Sequence, residues 1–205
     1  MSMKNKRSFT SILLSMIFII GAFGSAQAYT IDFEGDTTGN KLNPWESNDS
    51  NLVSFSDSNG NNLNVQNYGH QSDGKALAVY YDDASYLQMN FVSDMDYLAL
   101  DFGNDDAGWS NPGDQAVLTL FDDGAQVGQV NLDMNRNDYM DQRIIFSGLA
   151  FDYATFIYDV TTGVGLIEIV DNIEFYDAAP VPEPSTIFLL GSGLVGLAFW
   201  RRRQA

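Results

Sequence analysis

TLFDDGAQVGQV, residues 119–130, sets Asp123-Gly124 between two extended runs. Glycine reaches positive φ without steric cost, so an Asp-Gly step flanked in this way is a hairpin signal. Upstream, YLALDF at 97–102 alternates Leu98, Leu100 and Phe102 against Tyr97, Ala99 and Asp101, the period of a strand with one buried face. Further out, runs rich in Val, Ile, Leu, Phe and Tyr are separated by Gly, Asn and Asp clusters. They predict strands at 30–34, 52–55, 62–66, 76–81, 86–91, 97–102, 116–121, 126–132, 143–146, 151–158 and 166–176. No helical periodicity survives between them, so the expected class is all-β, an antiparallel β-sandwich.

The two ends of the 205-residue chain read differently. Lys4, Lys6 and Arg7 precede an apolar stretch from Ile12 to Ile20, and Ala26 and Ala28 flank Gln27. This is the layout of a signal helix, residues 1–28, removed by signal peptidase before Tyr29. The sandwich is expected over 29–177. A Pro-rich linker at 178–185 follows, since DAAPVPEP cannot continue a strand ladder. From Thr186 to Trp200 no charge occurs, and Arg201, Arg202 and Arg203 close the stretch, so 186–203 reads as a single C-terminal transmembrane helix. Fifteen helical residues reach roughly 22 Å, short of a hydrocarbon core of about 30 Å. Arginines stay cytoplasmic by the positive-inside rule, which leaves the sandwich outside.

Pro182-Glu183-Pro184, the short apolar span and the Arg201–Arg203 cluster together resemble the PEP-CTERM sorting signal of Gram-negative bacteria. That resemblance implies recognition by a membrane-embedded exosortase, transient membrane anchoring, and delivery to the cell surface or exopolysaccharide matrix.

Charge and composition narrow the functional classes. Between Tyr29 and Ala179 stand four basic side chains (Lys41, Lys75, Arg136, Arg143) and twenty-six acids, a balance of −22. Such a surface repels nucleic acid and anionic lipid, and divalent cations are its natural counter-ions. Cysteine is absent, which removes disulfides and thiolate metal sites. His70 is the one histidine, and neither a nucleophile elbow nor a phosphate-binding glycine loop accompanies it, so no catalytic residue is assigned. The acid pairs Asp82/Asp83, Asp105/Asp106 and Asp122/Asp123 read as solvated turns.

One carboxylate is different. In GLIEIVDNIEFY, residues 165–176, the parity of Ile167, Ile169, Ile173 and Phe175 predicts that Asp171 faces the core with them. A core-facing carboxylate is costly unless paired or bound to a metal, and bases are scarce here. Near the start, Asp32, Glu34 and Asp36 share one parity. Oxygen ligands without His or Cys favour Ca²⁺. Asp171 could instead cap backbone amides at a bulge.

DFEGDTTGNKLNPW (32–45), SDGKALAVYY (72–81) and VDNIEFY (170–176) resemble the opening, middle and closing strands of jelly-roll carbohydrate-binding modules. The resemblance implies a structural calcium ion tying the terminal strands, with Glu34 and Asp171 as ligands and Asp32 and Asp73 beside them. The second acid common in the closing strand is here Asn172. Sugar would be met by aromatic faces, for which Trp45, Trp109, Tyr80, Tyr81 and Tyr86 are the candidates. The expected function is an exported, non-enzymatic surface or matrix protein that binds polysaccharide. The alternatives are a carbohydrate-active enzyme using paired acids such as Asp105 and Asp106, and an adhesin with a protein partner.

Overall fold

The computed structural model describes residues 27–81, 83–163 and 165–178. The expected signal helix up to residue 26, and the linker, Pro182-Glu183-Pro184 motif, transmembrane helix and arginines beyond residue 178, lie outside the described residues, as does Asp82. Ten strands build the unit Ala26–Ala178: β1 (Ala28–Ile31), β2 (Gly39–Lys41), β3 (Val53–Asp57), β4 (Leu63–Gln66), β5 (Ala76–Val79), β6 (Leu87–Gly103), β7 (Gln115–Asp122), β8 (Ala125–Asp133), β9 (Gln142–Asp159) and β10 (Ile169–Asp177). Every pairing is antiparallel.

The hairpin signal sits where it was expected. Asp122 pairs with Ala125, and Asp123 and Gly124 turn the chain at φ 48° and 79°. Elsewhere, two pairs of predicted strands are each one long strand. The predicted 86–91 and 97–102 are both β6, and 143–146 and 151–158 are both β9. The polar breaks VSD and SG mark bends in these strands rather than ends. β2 was missed because Gly-Asn-Lys has no apolar pattern to read.

Those two long strands organise the sandwich. The first half of β6 pairs with β3, and its second half pairs with β10. β9 runs beside β6 throughout, from Leu87↔Phe156 to Phe102↔Gln142, with the register broken between Asn90 and Tyr97. One layer is therefore β2-β4-β5-β10 with β1 on β10 and the adjoining halves of β6 and β9; the other is β3, the remaining halves, β7 and β8. The ribbon is bent so far that its two ends meet. The Tyr158 hydroxyl, near the end of β9, donates to the carbonyl of Gly103 at the end of β6. Between the layers lies one core including Phe33, Phe55, Phe102, Phe151, Phe156 and Phe175, all buried. Burying each such ring contributes about 1.5–3 kcal/mol.

The facing of Asp171 needs correction. Between Asp171 and Glu174 the ladder against β6 slips, and Asn172 takes φ 47°. This bulge reverses the parity of β10. Val170, Ile173 and Phe175 enter the main core, whereas Ile169 joins Ala76 and Ala78 in a small cluster on the outer face. Asp171 shares that outer face with its cross-strand partner Asp101. It is buried nonetheless, with the backbone of Asp73, just past a 3-10 turn at Gly69–Gln71, beside its carboxylate. Gly103 permits this approach, since a Cβ there would come within 2.5 Å of the Gln71 carbonyl.

Candidate functional site

The structure divides the four expected metal-binding acids. Asp32 is exposed, and its Oδ1 accepts the amide of Glu34 at 3.0 Å, a local turn beside Asp49. Asp49 Oδ2 in turn accepts the amide of Phe33 at 2.9 Å, which holds Phe33 at its φ of 58°. Glu34 points the other way. Its Oε1 accepts the amide of Lys75 at 2.6 Å and lies so close to Gly74 that a Cβ there would stand 2.0 Å from it. Lys75 Nζ donates to the carbonyls of Glu34 (2.7 Å) and Asp36 (2.8 Å).

Asp171 meets the same loop from below. Oδ1 accepts the amide of Asn172 at 2.7 Å, while Oδ2 is buried and makes no hydrogen bond of good geometry, the Asp73 amide being the polar group beside the carboxylate. Burial pushes its carboxyl up to about 7; the amides of Asn172 and Asp73 pull it back, and the charges of Asp73 and Asp101 add to the rise. The loop Asp73–Lys75 thus gathers Glu34, Asp73 and Asp171, and Asp32 stands apart. Among the described residues, no three Asp, Glu or His side chains come close enough together to hold a metal ion by themselves. What the loop does bring near one another is backbone and carboxylate oxygen chemistry, with Glu34 on the Lys75 amide and Asp171 beside the Asp73 amide, and oxygen donors suit a hard cation.

The aromatic candidates separate by burial. Trp45 is half-buried and packs against the core, with its ring 6.2 Å from Phe33 and 6.1 Å from Phe55 and Lys41 Nζ 5.2 Å above it. Tyr86 is half-buried. Trp109, Tyr80 and Tyr81 stand 47–53% exposed. Tyr80 and Tyr81 meet edge to face at 6.0 Å. All three belong to loops at the rim where the β6/β9 ribbon closes. Thr162 Oγ1 donates to the Trp109 carbonyl at 2.8 Å, and the next turn of that loop brings Gly165 against Asp83 O.

Asp105 organises this rim, a role its adjacency to Asp106 did not suggest. It is buried, and its two oxygens accept the amides of Arg136 (2.6 Å) and Asp138 (2.8 Å). Asp106 Oδ1 accepts the amide of Gly108 at 2.6 Å. Both carboxylates are therefore committed to shaping loops. Arg136 adds its guanidinium to the carbonyls of Ser110 and Ala107. Sequence reasoning also passed over Tyr139, exposed and 4.8 Å from the ring of His70, whose Nε2 lies 3.0 Å from Asp138 Oδ2. Its Asn/Asp-rich surroundings gave no periodicity to single it out.

Residues 180–203 match the PEP-CTERM protein-sorting motif. The chain carries that sorting signal. It marks an exported protein with a C-terminal sorting tail, and such tails imply exosortase processing. No curated relative matches the chain. Among solved structures, the chain is similar to a DUF4465 family protein from Bacteroides caccae, at 10% identity and TM-score 0.48, over 74% of this chain and 100% of that one. It is similar also to the family 32 carbohydrate-binding module of Clostridium perfringens NanJ, solved with galactose (11% identity, TM-score 0.36, 74% and 100% covered). A family 29 carbohydrate-binding module gives 14% identity and TM-score 0.35, with 78% and 99% covered. The fold itself rests on the strand register described above.

Proposed function

We propose that this PEP-CTERM protein is a non-catalytic component of the cell surface or extracellular matrix of a Gram-negative bacterium, and that it binds polysaccharide at the loop rim through Trp109, Tyr80 and Tyr81. The observation that carries this reading is the exposure of these rings on loops whose backbone is otherwise tied down. An exposed indole contributes nothing to the core, and a rigid loop presents it without an ordering cost on binding. The commitment of Asp105 and Asp106 to backbone amides favours binding over hydrolysis. Pull-down on a panel of acidic and neutral polysaccharides, run beside reducing-sugar assays, tests the reading. Retention that Trp109→Ala and Tyr80→Ala/Tyr81→Ala abolish, with no sugar released, is the expected result; retention unchanged in both variants refutes it.

A calcium ion at Asp171, with Glu34 and Asp73, belongs to the same proposal, supported by the buried Asp171 Oδ2, which makes no hydrogen bond of good geometry. Its role would be to join β1 and β10 to the loop between β4 and β5. Export follows the route read from the two ends, with signal peptidase acting at the N-terminus and exosortase at the Pro182-Glu183-Pro184 motif. Replacing Pro182 and Glu183 by alanine should leave unprocessed protein in the membrane, scored by fractionation and the mass of the released form. Normal release of that variant would discard the route.

A further inference from the structure

Tyr139 and His70 are two exposed rings that the rim described above does not employ. Tyr139 is 55% exposed and the His70 side chain 52%, and their ring centroids stand 4.8 Å apart with the planes tilted by 44°. The loop that carries Tyr139 has its apolar anchor in the next residue, since Met140 packs on Ala76, Ala78 and Ile169. Tyr139 is not needed for that packing, and its ring stays in solvent.

The backbone beneath the rings is strained and firmly held. Arg136 and Asp138 sit at φ 63° and 65°, a left-handed conformation that residues with side chains adopt only at a cost. Asp105 holds both there by accepting their amides at 2.6 and 2.8 Å. From the facing loop, the His70 carbonyl accepts the amide of Met140 at 2.9 Å, and Gln71 Nε2 donates to Asp138 Oδ1 at 2.6 Å. Asp138 Oδ2 lies 3.0 Å from His70 Nε2. An ionised carboxylate only accepts, so Nε2 carries the proton and Nδ1 of the neutral ring is an acceptor. Strained backbone, fixed by several bonds beneath exposed rings, fits a binding loop, because its ordering cost is met before a ligand arrives.

We propose that Tyr139 and His70 form a second polysaccharide contact, made by residues other than Trp109, Tyr80 and Tyr81, and that its ligand is an uncharged pyranose chain. The rings supply apolar faces for the C–H side of a sugar, and the Tyr139 hydroxyl and His70 Nδ1 supply polar partners for its hydroxyls. Charge selects the class. Lys41 already donates to Thr37, Lys75 to the carbonyls of Glu34 and Asp36, Arg136 to those of Ala107 and Ser110, and Arg143 to Asp101 and Glu174. Against the domain's twenty-six acids these four bases leave a strongly negative surface, which repels a polyuronate or sulfated chain. The inference rests on the reading that the domain binds polysaccharide, but not on the rim rings.

The test is affinity electrophoresis of the full chain in native gels containing β-glucan, galactomannan or polygalacturonate, with Tm measured separately. An uncharged polymer should retard the parent, and polygalacturonate should not. Tyr139→Ala and His70→Ala should each raise Kd about tenfold. Their Tm should stay within about 2 °C of the parent. Tyr139→Phe keeps the ring and should bind within about twofold of the parent. Should Tyr139→Ala not fold, His70→Ala carries the same expectation. Parental Kd in both alanine variants, with binding lost in Trp109→Ala, overturns this inference and leaves the rim reading standing. The reverse pattern refutes the rim rings and supports Tyr139 and His70. Retardation by polygalacturonate alone overturns the inference, and retardation by no polymer overturns it together with the wider reading.

Discussion

Asp171 stands directly opposite Asp101 across the β10–β6 ladder, and it is Asp101 that takes the guanidinium of Arg143, at 2.8 Å. Arg143 spends its other amino group on Glu174, also at 2.8 Å. Asp171 therefore lies beside a carboxylate that holds the nearest guanidinium, and still feels that carboxylate's charge.

This arrangement fixes a pH dependence. The folded-state pKa of Asp171, about 7, lies above its ordinary value, so the folded form holds the proton more tightly. The corresponding stability is complete below the ordinary carboxylate range and is lost as pH rises through about 7. In chelator, Tm should fall between pH 5 and pH 8, and Asp171→Asn should flatten that fall. Calcium should raise Tm more at pH 8 than at pH 5, where the proton competes. Chemical or thermal melts at the two pH values check both signs.

Trp45 and Trp109 should respond in opposite ways. Trp45→Ala opens a hole beside Phe33 and Phe55 and should cost about 3 kcal/mol of stability. Trp109→Ala should leave the urea midpoint within about 0.5 kcal/mol of the parent while reducing polysaccharide retention. A matched loss of stability in Trp109→Ala would place that ring in the core.

Gly165→Ala drives a Cβ into the Asp83 carbonyl, which has no flexible end to move aside. Overpacking of this kind costs about 1–3 kcal/mol, and backbone contact puts it at the upper end. Gly128→Ala, by contrast, meets only the Phe146 ring, at 2.4 Å, and a side chain can turn. The first should lower Tm clearly more than the second.

Gly124→Ala tests the hairpin. At φ 79° an added Cβ costs about 1–2 kcal/mol through backbone strain alone, since the space around it is open. The destabilisation should appear at equilibrium in urea without a change in slope.

Legibility in the sequence followed the range of the forces involved. The Asp123-Gly124 turn is a local backbone requirement and was readable from two residues. Alternation in YLALDF was readable because one face of β6 is buried along that stretch. The bulge at Asn172 was not, since asparagine tolerates positive φ quietly and a parity count presumes an unbroken ladder. Continuity of β6 through Val92–Asp94 depends on a partner strand that follows the same bend, and nothing local announces it. Trp45 and Trp109 both sit among polar residues, and only tertiary packing tells one from the other. Asp171 was singled out by strand parity and, together with Glu34, by resemblance, whereas Glu168, buried in the structure, alternates with Ile167 and Ile169 and carries no local sign of that burial.

Ala28 pairs with Tyr176, so the chain enters and leaves the sandwich at one corner. Glu168 and the loops bearing Trp109, Tyr80 and Tyr81 lie past the other end of β10, nine residues away, roughly 30 Å at strand spacing. The sandwich has two poles, one where its first and last strands pair and one that carries the exposed rings. Anything bound at the second pole is held a full strand's length from the corner where the first and last strands meet.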